Sequence, residues 1–436
     1  MASPADPAQA SAERLIAGTI GATWVLWAVG GLYIAGPALG WILAAMAAWK
    51  LYAAPLLPDE RKPLPIGSVV TFWLLGMLAM EVILLVGHFG NGLGIGTTIK
   101  SSIGWAKGWA LLALYPFAGA VLNVRPEIIY RAVCKLGAQT LALLPLFLVA
   151  PFIGLPETLW VSPLKVVGGS GPEYFAVVLY TIEPGVGTPR WQFFAPWSPA
   201  AGMIAVVHAL CALEEKEVRW KIVGVSAALA VALFSQSRLA LVALAMVWPA
   251  AFMLSQLGRA QIWWLGAAGV LFLGFFAPAA IAAFDQFKSD FASARADSSR
   301  VRAALGRIAI ERWRSEAPWF GHGIVERGPH LVEYMPIGSH HSWYGLLFVK
   351  GALGLLALAV PMIWSLVVLG FLAVRDPIGR VGFSMLLLLG LYTFGENLEV
   401  LGYLFWPALV LIGAAARRAV QLREDRAQED ETPALL

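Results

Sequence analysis

Two adjacent histidines, His340 and His341, stand in GSHHSWYGLLFVKGALG, immediately before a long apolar run. An imidazole titrates near neutral pH and can take a proton from an attacking hydroxyl group. Three arginines are set apart by position: Arg190 in GVGTPRWQFFAPWSP, Arg238 in LFSQSRLALVALA, and Arg300 in ADSSRVRAALGRIAIERWRSEAPWFGHG. A guanidinium is planar, permanently charged and shaped for two-point contact with phosphate oxygens, so such a set suits a diphosphate held without a metal ion. Blander accounts exist for each: an arginine at a helix end can reach lipid headgroups, and a histidine beside Trp343 and Tyr344 can anchor a membrane interface. The loops around these residues carry no HExxH, no DxD and no cluster of Cys and His. Asp285, Asp290 and Asp297 are spaced at five and seven residues, which gathers no carboxylates on one turn. No metal and no cofactor is expected.

What must position these residues is a membrane domain. Of the 436 residues 59% are hydrophobic and only 13% charged, about half the roughly 25% of soluble domains. The mean hydropathy is +0.72. A soluble fold could not bury so much apolar surface, and a disordered chain would lack it. The 31 basic and 27 acidic side chains leave +4, with no basic cluster of the kind that binds nucleic acid. Cys134 and Cys211 are too few for a disulfide framework.

A helix of about 20 apolar residues crosses a hydrocarbon core of ~30 Å. On that measure the chain is an all-α polytopic membrane protein with about twelve transmembrane helices. They lie near 15–34, 36–54, 65–87, 99–122, 128–154, 197–214, 219–236, 238–257, 261–284, 342–374, 381–397 and 400–417. The tenth is long enough to begin as a half-buried amphipathic piece. Lys and Arg crowd alternate short loops (Lys50, Arg61 and Lys62; Arg125, Arg131 and Lys135; Arg375 and Arg380). By the positive-inside bias both termini are then cytoplasmic, residues 1–14 as a polar segment and 418–436 as a frayed tail.

On the opposite side two connections, about 155–196 and 285–341, exceed ordinary loop length. The second reads as a helical region, with Val301, Leu305, Ile308 and Trp313 recurring at helical spacing. It holds seven arginines, against the usual bias, and seven acidic residues from Asp285 to Glu333 nearly balance them. A self-paired solvated helix therefore also accounts for this stretch.

SQSR at the head of the eighth span, DSSR followed by PWFGHG in a long outer loop, and SHHSWYGLLFVKGALG opening the tenth occur in one order. In this order and topology the chain resembles the O-antigen ligases, within the ligase/polymerase superfamily of bacterial envelope glycosyltransferases. The resemblance covers about residues 180–375, and the first five spans match in hydropathy alone. It implies a GT-C-like enzyme of the bacterial inner membrane, expected as a monomer, with its site facing the periplasm. Such an enzyme transfers polysaccharide from undecaprenyl diphosphate to lipid A–core, with inversion and without metal.

By the family's pattern Arg238 and Arg300, joined by Arg190, hold the diphosphate, and His341 or its neighbour His340 is the base. Ser342 stands where the family has Asn, and Lys350 where an acidic residue often precedes the glycine. Glu396 and Glu399, at the turn before the last span, are candidates for orienting a histidine or an arginine, or plain anchors. An O-antigen polymerase or a protein-directed oligosaccharyltransferase uses the same donor and shares these motifs. A secondary transporter also commonly has twelve spans, but it calls for two related halves and charges near the midplane. Here the halves look dissimilar, and Glu81 is the main charge at such a depth.

Overall fold

The computed structural model describes residues 6–57, 62–169, 171–183, 187–277, 279, 281–282, 285–286, 296–339 and 341–431. Arg61, Asp290, Arg295 and His340 lie outside the described residues. Six helices are long and apolar enough to cross a membrane: Leu32–Tyr52, Ser68–Gly90, Pro126–Val149, Arg238–Ser255, Ser342–Ala373 and Gly402–Glu429. Shorter apolar helices, Ser198–Leu213, Ala260–Phe272 and Pro377–Tyr392, pass among them. Helices satisfy their own backbone polar groups, which is what hydrocarbon demands of a spanning segment. The chain is an all-α membrane protein.

The last helix is the axis of the bundle. Phe405, Ala408, Leu409, Val410, Leu411 and Ile412 are fully buried on it. It crosses Leu111–Val121 at backbone contact, with Gly119 against Val410 and Gly413 against Pro116. The helix then runs on to Glu431, where a frayed tail was expected. The residues after Arg417 are mostly strong helix formers, and Arg418 is tied to Asp376 at 2.7 Å.

The N-terminal segment is ordered earlier than expected too. A helix begins at Pro7, with Asp6 capping Ala8 N–H and proline at the first helical position. Two expected single spans are in fact pairs of shorter helices: Pro7–Gly21 with Thr23–Ala28, and Ile95–Lys107 with Leu111–Val121. The second pair parts at Gly108, whose backbone lies against Glu399.

Loops that alternate along the chain collect at opposite ends. At one end Arg125 pairs with Glu13, Arg131 with Glu215, Arg380 with Glu214 and Arg418 with Asp376. At the other end the long connections settle. The first is built from short antiparallel ribbons rather than helix, pairing Thr158–Val161 with Ala176–Val178 and Thr181–Ile182 with Pro189–Arg190. Its β-branched residues and closely spaced Gly and Pro favour ribbon and turn over helix. The second carries the expected helix, Ala296–Glu316, and one ribbon, Glu326–Arg327 with Pro336–Ile337. Val301 and Leu305 of that helix bury against Val332, Ile337 and Phe348 in a small core of their own.

The long helix Ser342–Ala373 is broken at Gly351, where φ is +66° and ψ −167°. A side chain there would strike the Trp319 carbonyl, and the left-handed φ itself favours glycine. Breaking a helix strands carbonyls on one side and N–H groups on the other. The segment Pro318–Gly323 crosses the break as a strap and satisfies both sides. His322 N–H and Gly323 N–H donate to Phe348 and Val349 carbonyls at 2.8 and 2.9 Å. Ala352 N–H and Leu353 N–H donate to Pro318 and Trp319 carbonyls at 2.9 and 3.3 Å. The sequence PWFGHG is thus the piece that permits a nine-residue half-helix, Ser342–Lys350, to stand apart from the rest.

Candidate functional site

His341 is the N-cap of that half-helix. Its Nδ1 accepts from Trp343 N–H at 3.2 Å and Tyr344 N–H at 3.4 Å. The ring lies flat on Tyr344, centroids 4.1 Å apart and planes 19° apart, with Phe394 edge-on at 6.0 Å. Burial holds the imidazole well below its usual range, at about 4, and the nearby Arg302 guanidinium acts in the same direction.

The residue after it fixes the local backbone. Ser342 Oγ donates to Glu396 O at 2.7 Å and accepts from Leu398 N–H at 3.0 Å. Ser342 N–H donates to Thr393 O and Glu396 O at 3.1 and 3.2 Å. The serine therefore stitches the half-helix to the turn Gly395–Asn397. Glu396 is buried, and its Oε2 accepts from Trp197 Nε1 at 3.1 Å. Burial pushes its carboxyl up to about 7, while Arg302 draws it back.

Arg302 reaches this turn from the loop helix, donating from Nη1 to Gly395 O at 3.2 Å. Arg302, Leu305, Gly306 and Ala309 form one helical face, at steps of three and four residues, and line an open cleft together with His341, Tyr344 and Phe394. Gly306 lets the helix lie directly on the Tyr344 ring. The cleft is small, about 60 Å³, and opens to the outside.

The three expected arginines take different places. Arg190 is ion-paired with Glu183 at 2.6 Å and donates to Ser235 O at 3.2 Å. That contact brings it to the SQSR turn, where Gln236 also donates to Pro189 O at 3.3 Å. Arg238 is half-buried and opens its helix, behind a Ser237 cap that accepts from Ala240 N–H at 3.4 Å. The next residue, Leu239, packs at Gly395. Arg300 is exposed on the loop helix, two residues before Arg302. Two residues are about 200° around a helix, so the cleft-facing side is the side of Arg302. Of the charged residues, only Arg302 joins His341 in the described wall of the cleft.

Three other described histidines have contacts of their own. His322 bonds Glu316 at 2.7 Å and Phe348 O at 3.1 Å, stacked on the Phe348 ring. His88 bonds Gly323 O at 2.9 Å, and His330 lies edge-on to Tyr334. Glu399 does not join the cleft; it meets Gly108 and is a counter-charge of the buried Lys350. Among the described residues no three His, Cys, Asp or Glu side chains gather as metal ligands.

Arg302 and Trp197 were not singled out by sequence reasoning, and Ser342 was noted there only as the residue after the histidine pair. For Arg302 the signal was present: it shares its helical phase with Leu305, Gly306 and Ala309, and Arg300 does not. In comparison with known proteins, no protein-family model matches the chain and no curated protein matches it.

Proposed function

We propose that the chain is a membrane-embedded glycosyltransferase of the O-antigen ligase type, with twelve crossings and its cleft on the periplasmic side of the inner membrane. The observation that carries this reading is the cleft shared by Arg302 and His341 at the head of a half-helix. A cationic donor and a ring N–H at the membrane rim suit the diphosphate of a lipid-linked glycan. The acceptor's oxygen bonds to the anomeric carbon and the bond from that carbon to the diphosphate oxygen breaks. The acceptor's proton is taken up by the diphosphate released. Preorganised donors around a leaving group each contribute roughly 3–4 kcal/mol where water is excluded. Arg190 is tied to the SQSR turn, the residue after Arg238 packs at Gly395, and lipid A–core is the acceptor.

The test is purified protein in proteoliposomes with undecaprenyl-diphosphate-linked glycan and lipid A–core. Slower electrophoretic migration of lipid A–core is expected, unchanged by EDTA. Growth of the lipid-linked glycan without modified lipid A–core would instead mark a polymerase. One observation favours a transporter: the interrupted helix carries buried Lys350 at its break, with Glu399 and Glu81 as its counter-charges, an arrangement used by carriers. Counterflow uptake without any lipid-linked sugar would select that reading.

A further inference from the structure

We infer that His341 acts as a hydrogen-bond donor to a phosphate oxygen, through Nε2–H, and is not the proton acceptor that its family pattern suggests. The inference refines the role of His341 within the proposed glycosyl transfer.

The argument starts from the two ring nitrogens. A neutral imidazole has one N–H and one lone pair. The lone pair is spoken for: Nδ1 receives both Trp343 N–H and Tyr344 N–H as the cap of Ser342–Lys350. The proton of the neutral ring must then sit on Nε2, which has no hydrogen-bond partner among the described residues while the ring lines the cleft. Presenting a lone pair to an acceptor hydroxyl would require the other tautomer, and that tautomer would set N–H against N–H at the helix start. The stack on Tyr344 and the edge contact with Phe394 hold the plane of the ring, and the two N–H groups on Nδ1 fix which way round it lies.

The same contacts make Nε2–H a better donor. Two helix N–H groups bonded to Nδ1 pull electron density from the ring, and chained hydrogen bonds strengthen one another. Burial, with Arg302 on the same wall, disfavours a charged ring, so the neutral donor persists as the solution is acidified. Arg302 and His341 thus face the cleft as two donors, one charged and one neutral. A tetrahedral oxyanion on a lipid tail is the ligand such a pair fits.

The experiment measures binding of farnesyl diphosphate, with farnesol as the uncharged control, to the full chain in detergent. H341A should weaken the diphosphate about tenfold, as loss of a hydrogen bond to a charged group does, and leave farnesol unaffected. H341N and H341Q present a neutral amide that donates but cannot take up a proton. At least one of them should recover binding, and with it transfer, to within about threefold of the parent. Equal binding by all three variants, or recovered binding with transfer as low as in H341A, would overturn the donor role. Nitrogen NMR of labelled histidine offers a readout free of mutation: His341 should hold its proton on Nε2 throughout about pH 5 to 8, and a proton on Nδ1 would refute the inference. If the binding pattern holds while the parent transfers no glycan, the proposed reaction falls and the donor assignment stands.

Discussion

The two ends of the bundle treat charge differently. At the end holding Arg125, Arg131, Arg380 and Arg418, each of these guanidiniums meets a carboxylate at 2.6 to 3.0 Å. At the His341 end Arg302 donates to a backbone carbonyl, and Glu396 accepts from an indole. The first arrangement neutralises charge within the fold. The second keeps an arginine and a carboxyl bonded to neutral groups a few residues apart, which retains their capacity for an outside ligand. Arg190 and Arg312 are ion-paired at the His341 end too, so the contrast between the ends rests on Arg302 and Glu396.

The largest expected effect lies at the second end. Arg302→Ala should lower kcat/KM of glycan transfer by about 100- to 1000-fold with little change in melting temperature. A loss below threefold would erase the distinction between the two ends.

Glu396→Gln comes next and is read through pH. Burial raises this carboxyl from 4.5 to about 7, so between those values the folded chain holds a proton that the unfolded chain releases. Stability from this group is therefore complete below about 4.5 and declines as pH rises toward 7. Glu396→Gln should match the parent in acid and exceed it near pH 8 by at most ~3 kcal/mol, in detergent melts across that range.

Glu13→Ala probes the tied end. Removing one member of a buried pair costs about 3–5 kcal/mol. Arg125 is 62% exposed, and water screens that much of the loss, leaving about 2 kcal/mol. Melting should fall while the folded fraction transfers glycan at the parent rate. Arg300→Ala should have the smallest consequence, under threefold in transfer. A loss equal to that of Arg302→Ala would mean the helical phase does not decide which arginine serves.

Much of the bundle is legible along the chain because apolar runs and loop charges are local properties. The unusual length of the run from Ser342 to Ala373 was readable along the chain, and the structure breaks that helix at Gly351. What makes the break tolerable, Pro318–Gly323, lies some thirty residues upstream and pairs with it only in three dimensions. The splits before Thr23 and at Gly108 were unreadable for a similar reason: hydropathy continues through both, and the neighbour that fixes Gly108 is Glu399. Position along the sequence singled out Arg300, while phase around the helix places Arg302 at the cleft. The departure at Ser342 gains a reason once the Glu396 carbonyl and Leu398 amide are seen on its hydroxyl.

The strap over the broken helix also limits how the cleft can be entered. It is the direct continuation of the loop helix, with Trp313 Nε1 bonded to Pro318 O at 2.7 Å, and it is pinned beneath by Asn91 on Gly321 O at 3.0 Å. Lifting that helix like a hinged cover would strip four backbone groups of their partners inside an apolar bundle, each at a cost of roughly 1–3 kcal/mol. The roof is better regarded as a fixed lintel, and any occupant of the cleft must slide in beneath it from the side.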